Sequence, residues 1–295
     1  MKNIGGQAVI EGVMMKAPKG WTVAVRDQKG AIHLKIETLK RYPAFLKTPI
    51  LRGVVALYQA FSIGIKALEF SANKVYSESD EKPMNPLTMA STIGFAVLGA
   101  VGLFIFLPLY LTKVTGMALG VVSRSSFMFN AVDGIIRVLI FLFYVFVIGL
   151  WKDMRRIFEY HGAEHKVIHA YEAGKALDVE NVRAFSPQHP RCGTSFLLIV
   201  MVISILLFSF IPQSWQFSGK FLSRLILIPM IAGISYELLR LSARISESPL
   251  ISILVLPGLM LQKLTTREPD DSQIEVAITA VKEVLKLEEG NAPEA

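Results

Sequence analysis

Long apolar segments alternate with polar, positively charged segments over most of the chain. Four of the apolar stretches are long enough, or nearly so, to cross a hydrocarbon core of about 30 Å. These four lie at about 87–110, 135–151, 194–211 and 221–241. A fifth, at 248–261, is short and contains Pro257 and Gly258, so it is better interpreted as re-entrant or interfacial. The pattern predicts an all-α integral membrane protein with about four transmembrane helices.

The polar regions predict a small α+β part beside these spans. Two strand-prone segments, 21–25 and 32–36, flank a short turn and predict an N-terminal β-hairpin. Residues 49–76 carry an apolar stripe at helical spacing. That helix either lies on the membrane surface or packs on the soluble part. Ser272 and Glu275 have the spacing of a capping box, which predicts the start of an amphipathic C-terminal helix.

The distribution of Lys and Arg predicts the orientation. The segment 1–86 has 13 of them, the loop 152–193 has 7 and the tail from 244 has 5, whereas 111–134 has 2 and 212–220 has 1. Positively charged loops stay in the cytoplasm, so we expect both termini and the 152–193 loop there. The expected regions are a cytoplasmic N-terminal region (1–86), a first transmembrane helix pair (87–151), a cytoplasmic His/Cys loop (152–193), a second helix pair with the re-entrant or interfacial segment (194–262), and a cytoplasmic C-terminal helix and tail (263–295).

Composition narrows the class of protein. A hydrophobic fraction of 52% is too high for an ordinary soluble enzyme, and a single cysteine excludes an intramolecular disulfide framework. The net charge of +7 is accounted for by the basic cytoplasmic segments, and we find no basic patch interleaved with aromatic residues. We therefore expect the lipid bilayer, and not nucleic acid, as a partner.

Arg137 and Arg224 fall inside spans near their outer ends, where long side chains can snorkel to the interface.

The chemistry-bearing residues concentrate in one polar segment, 161–192, which holds four of the five histidines and the cysteine. His161 and His165 are one helical turn apart, with Glu164 beside them. This H-x-x-E-H order is the inverted zincin signature, in which two imidazoles bind a divalent metal and the glutamate is the general base. We expect Glu164 to be at least partly solvated. Histidines at this spacing on a polar helix can also be merely solvated.

Other residues could complete such a site. His189 or Cys192 would supply a third ligand and leave one position open, and mixed imidazole and thiolate ligands favour zinc among the divalent transition metals. His169 and Glu172 continue the stripe of His161 and His165. The additional candidates are Glu11, His169, Glu172, Glu237 and Arg240, with Glu172 or Glu237 as the substitute third ligand.

Five motifs resemble the YqhQ-like family of bacterial multi-pass membrane proteins. They are GGQAVIEGVMM at 5–15, HGAEHK at 161–166, VENVR at 179–183, HPRCGTSF at 189–196 and LTTREP at 264–269. The resemblance covers nearly the whole chain. It implies a bacterial cell-membrane location and a family of unknown function whose members are sometimes described as predicted metal-dependent enzymes. It supplies no substrate and no established catalytic residues.

The leading hypothesis is a metal-dependent hydrolase that acts at the cytoplasmic membrane face on a membrane-associated substrate. In the alternative, the protein transports an ion or solute, or regulates a transporter, and the His/Glu/Cys cluster binds the ion. Because four spans make a small pore, this alternative requires a homo-oligomer. In a third hypothesis Cys192 is a nucleophile with His189 as its base.

Overall fold

The computed structural model describes residues 4–39, 42–76, 86–190, 192–212, 214–244 and 249–290. The strands are β1 (Gly5–Val9), β2 (Gly12–Lys16), β3 (Gly20–Arg26) and β4 (Ile32–Thr38). The helices are α1 (Leu51–Tyr76), α2 (Pro86–Val101), α3 (Leu107–Ala118), α4 (Gly120–Ser123), α5 (Ser126–Ile148), α6 (Lys152–Glu172), α7 (Val179–Arg183), α8 (Gly193–Phe208), α9 (Phe217–Arg244), α10 (Pro249–Thr265) and α11 (Asp271–Glu289). A 3₁₀ turn (Ala44–Lys47) precedes α1, and a π-helical stretch (Gly102–Phe106) joins α2 to α3.

The four strands form an antiparallel meander with helices on both faces, which we call the α/β layer. Alternate residues of β2 point to opposite sides: Val13 and Met15 pack against α6 and α11, whereas Met14 packs against α1. The sheet is therefore the middle of three layers, with α1 on one side and α6 with α11 on the other.

The predicted hairpin of 21–25 and 32–36 is confirmed as β3 and β4. The hairpin of β1 and β2 was not predicted, because β2 is covered on both faces and shows a continuous apolar run and not an alternating one. Its two-residue turn places Glu11 at a φ of 51°, in the left-handed region that a non-glycine residue seldom adopts.

The predicted fold class is confirmed: the chain is mostly helical, with a small sheet at its N-terminal end. Within the described residues, four helical segments are long and apolar enough to cross a membrane. These are Leu51–Tyr76, Ala90–Ala118, Ser126–Ile148 and Phe217–Leu241. The last three overlap spans predicted from the sequence.

The set of candidate spans differs from the prediction at two places. The segment predicted at 194–211 forms α8, whose 16 residues measure about 24 Å, less than a hydrocarbon core. By contrast, α1 meets the length and hydropathy of a span. Its residues Ile63, Ala67 and Val75 nevertheless pack on the sheet, so of the two alternatives for this helix the contacts favour packing on the α/β layer.

Helices α2, α3, α5, α8, α9 and α10 form a second part, which we call the bundle. The expectation that Arg137 and Arg224 snorkel to the interface is wrong, because both side chains point into this bundle. Both arginines are buried and donate to the same carboxylate, Asp133, over 2.7 and 2.6 Å respectively. Arg137 also donates to Ser204 Oγ, and Arg224 to Asn130 Oδ1. The two guanidinium groups therefore tie α5, α8 and α9 together.

The C-terminal helix is capped two residues before the predicted capping box. Asp270, and not Ser272, is the N-cap of α11: its side chain accepts from Gln273 N, and the Gln273 side chain accepts from Asp270 N. Both patterns satisfy the sequence rule, and Asp270 is favoured because Pro269 ends the preceding extended segment.

Candidate metal centre

Helix α6 carries His161, Glu164 and His165 on the side that faces the end of α10 and the loop before α8. Gly162 lets the backbone around Arg267 approach α6 closely, because any other residue at this position would place its Cβ 2.0 Å from Arg267 O. The backbone of 265–267 can therefore lie directly on the helix, and Arg267 N donates to Phe158 O over 2.9 Å. A glycine that is unfavourable for helix formation is thus required by packing.

Backbone carbonyls orient both imidazoles of this pair. His161 Nδ1 lies 2.8 Å from Thr265 O, and His165 Nδ1 lies 2.7 Å from Pro187 O. Since a carbonyl can only accept, each Nδ1 carries a proton, and in the neutral ring each Nε2 carries the lone pair. Metal-binding histidines are commonly held in this way. His165 Nε2 is buried and has no hydrogen-bond partner among the residues that the structure describes.

Cys192, which immediately precedes α8, joins the two histidines. Its Sγ lies 3.4 Å from His161 Nε2, and one ligand atom from each of the three residues lies within 4.8 Å of the others. Tetrahedral zinc holds nitrogen and sulfur ligands about 3.5 Å apart at its usual bond lengths. The orphaned lone pair of His165 and the soft donor set therefore fit a divalent transition metal.

Glu164 lies beside this trio but is not part of it. Its Oε2 is 3.8 Å from His161 Nε2 and 3.9 Å from His165 Nε2. The expectation that Glu164 is partly solvated is wrong, because the residue is only 4% exposed. Burial raises the pKa of its carboxyl, while His161 and a hydrogen bond from Gly6 N oppose that rise. The closeness of β1 explains the burial, since a Cβ on Gly6 would lie 3.0 Å from Glu164 Cγ.

His189 and Glu172 form a second pair next to the trio. His189 Nε2 donates to Glu172 Oε2 over 3.1 Å, and its ring centroid lies 5.9 Å from that of His165. Burial, reinforced by His169, lowers the pKa of His189 to about 4, although Glu172 opposes the change. His169 itself donates from Nε2 to Gln188 O. The structure thus brings Cys192 to His161 and His165, and directs His189 toward Glu172.

Three supporting residues were not found from the sequence. Gln262 is fully buried, accepts from His189 N and donates to His189 O, both over 2.8 Å, and so fixes the turn that carries Cys192. Thr265 and Pro187 act only through backbone carbonyls, which no side-chain pattern reveals. The available signal for Gln262 was an amide at the end of an otherwise apolar segment.

The buried ammonium of Lys166 connects two further motifs to α6. It donates to Arg183 O over 2.9 Å and pairs with Glu268. Lys166 therefore holds the segments 179–183 and 264–269 against the helix that carries the histidines.

Two of the remaining candidates, Glu11 and Glu237, lie in other ion pairs. Glu11 pairs with Arg156 and accepts from Tyr160 Oη over 3.2 Å. Glu237 forms a bidentate ion pair with Arg52 of α1. Arg240 is exposed on α9, one turn after Glu237. Each of these ion pairs connects helices or strands, and none of these three residues belongs to the His/His/Cys trio.

Comparisons with known proteins agree with the resemblance read from the motifs. Residues 48–287 match the family described as a protein of unknown function (DUF1385). The chain is 35% identical over 301 residues to the uncharacterized protein YqhQ of Bacillus subtilis strain 168, covering 96% of this chain and 92% of that protein. No solved structure matches. The resemblance to the YqhQ-like family is thereby confirmed, and the chain belongs to the DUF1385 family.

Proposed function

We propose that this protein is a metal-dependent hydrolase that works where the α/β layer meets the bundle. One observation carries the proposal: two imidazoles and a thiol converge within 4.8 Å, and the buried Nε2 of His165 has no hydrogen-bond partner in the described part of the chain. A buried polar atom without a partner costs free energy, and a bound cation would recover that cost.

The ligands would be His161 and His165 through Nε2 and Cys192 through Sγ. Two nitrogens and one thiolate favour zinc over magnesium or calcium, and three protein ligands leave a position for substrate or water. The carbonyls of Thr265 and Pro187 would keep both rings in the ligating tautomer. When bound, the metal would supply Lewis-acid activation.

Glu164 would be the proton acceptor. Its Oε2 lies nearly equidistant from the two ligating nitrogens, too far from either to form a hydrogen bond with it. The carboxylate therefore faces the space between the ligands, where a reacting water would lie. Burial keeps bulk water from competing for this position.

The position of the site supports a membrane-associated substrate. Cys192 directly precedes the apolar helix α8, and Thr265 is the last residue of the apolar helix α10. Both contacts therefore lie at ends of bundle helices, next to the layer that carries α6. The excess of Lys and Arg in 1–86 and 152–193 supports a cytoplasmic orientation of this end.

Glu164→Gln tests the proposal, because it preserves shape but removes the base. We expect the purified variant to keep one metal per chain but to fail to complement a strain that lacks the gene, since losing a general base costs roughly two to four orders of magnitude in rate. Glu180→Gln, an exposed change on α7, is the matched control and should complement.

The same variant separates hydrolysis from ion binding. Full complementation with normal metal content would contradict the hydrolase. Loss of metal together with loss of complementation would instead favour the transport or sensing alternative, in which Glu164 belongs to the ion's coordination.

A further inference from the structure

A cavity lined by both apolar and basic side chains opens at the end of the bundle opposite the histidines. It lies where α3 ends and where α5 and α9 begin, and it has a volume of about 660 Å³. Its wall includes Lys113 and Lys220 together with Phe129, Trp215 and Phe217. The structure therefore places two lysines and three aromatic rings around one opening.

The two charged residues named in the lining of this cavity are both lysines. Lys113 Nζ lies 5.7 Å from the centroid of the Phe217 ring, and Lys220 Nζ lies 4.6 Å from that of Phe129. Behind them, Asp133 is shared by two buried arginines. Asp133 is the only carboxylate in the sequence of 87–148 and of 193–236, although these segments contain five Lys and Arg. The cavity therefore suits an anion.

An apolar groove begins at the same tryptophan. It runs between α8 and α9 and has a volume of about 700 Å³. Trp215 lines both the cavity and the groove. The rest of the groove is mostly apolar, and its lining includes Leu207, Phe210, Leu222, Ile226 and Met230. Tryptophan is enriched at the membrane–water interface, which is where a headgroup would adjoin an acyl chain.

From this continuity of cavity and groove we infer that the protein binds an anionic phospholipid at this end of the bundle. The phosphate-bearing headgroup occupies the cavity between Lys113 and Lys220. One acyl chain lies in the groove between α8 and α9. A zwitterionic lipid fits less well, because its choline would add a cation to a site that already has an excess of positive charge.

Lipid binding to the purified full-length chain in a neutral detergent tests the inference. We expect phosphatidylglycerol to bind and to raise the unfolding temperature, and phosphatidylcholine of the same chain length to do neither. Lys113→Gln with Lys220→Gln should weaken phosphatidylglycerol binding about thirtyfold, which corresponds to about 1 kcal/mol for each lysine. Lys175→Gln with Lys282→Gln, exposed residues of the α/β layer, is the control with the same change in charge.

Two further variants test correct folding and the contribution of the acyl chain. A conservative pair, Lys113→Arg with Lys220→Arg, keeps the charge and should bind like the wild type, which guards against misfolding of the glutamine variant. Gly219→Leu should fill the groove, because a Cβ at Gly219 makes ordinary contact with Trp215 at 3.6 Å and a longer side chain extends beyond it. It should weaken long-chain phosphatidylglycerol but not a dihexanoyl analogue.

Three results would contradict the inference. Equal binding of phosphatidylcholine and phosphatidylglycerol, or full binding by the double glutamine variant, would overturn the inference. Inorganic phosphate that competes as well as the lipid would show a free-anion site instead. None of these measurements depends on the His/His/Cys trio, so the proposed hydrolase can fail while the lipid site stands.

Discussion

Gly162→Ala tests whether close backbone packing builds the metal centre. In an isolated helix this change should stabilise by about 1 kcal/mol. In the protein the added Cβ would lie 2.0 Å from Arg267 O, well under the 3.0 Å below which such contacts are essentially absent. The segment around Arg267 must therefore move by about 1 Å, a shift comparable to those that overpacking forces on a core.

The free energy of that shift can be bounded from the contacts that it disturbs. Overpacking costs about 1–3 kcal/mol, and the hydrogen bonds of Arg267 N to Phe158 O and of His161 to Thr265 O contribute about 1 kcal/mol each. With the gain in helix propensity subtracted, we expect a net destabilisation of about 2–4 kcal/mol. Loss of the carbonyl that orients His161 should also weaken zinc binding about 10- to 100-fold.

Denaturant unfolding in detergent and zinc competition with a chromogenic chelator measure the two effects. Gly193→Ala is the matched control: it is adjacent to Cys192, and no atom of the described residues lies within 4 Å of its added Cβ. Unchanged stability and unchanged zinc affinity in Gly162→Ala would refute the role of this close approach.

Three more predictions follow from buried or capping carboxyl groups. Asp270→Ala removes the N-cap of α11 and should lower the free energy of unfolding by about 1 kcal/mol in chemical denaturation. Asp133→Asn leaves two buried arginines without a counter-charge and should cost about 3–5 kcal/mol by the same measurement, whereas a cost under about 1 kcal/mol would contradict the buried network. Because burial raises the pKa of Glu164, the metal-free folded chain binds this proton more tightly than the unfolded chain, and its stability falls as pH rises above the unfolded pKa. Metal-free Glu164→Gln should therefore be at least as stable as the wild type near pH 8, with the difference vanishing below about pH 4, as thermal unfolding across pH would show.

The sequence predicts those features that depend on local pattern. Apolar length gives three of the candidate spans, and alternation flanking a turn gives β3 and β4. The H-x-x-E-H spacing places His161 and His165 on one face because α6 is a helix throughout. Each of these features repeats along one segment, so the residues themselves contain the signal.

Features that depend on packing between segments could not be predicted in this way. Whether His189 or Cys192 approaches the pair depends on how Gln262 holds the turn. Strand β2 lacks alternation because α1 covers one of its faces and α6 with α11 covers the other. Arg137 and Arg224 have a length suited to snorkelling, and only the position of Asp133 directs them inward.

Metal content of the purified protein tests the central claim most directly. Wild type, His165→Ala, Cys192→Ser and the control His33→Ala, whose ring pairs with Asp27 in the α/β layer, would be purified without chelators and assayed by plasma mass spectrometry. The proposed centre predicts about one zinc per chain in the wild type and in His33→Ala, and little in the other two variants. A zinc content that is the same in all four proteins, or a wild type without metal, would contradict it.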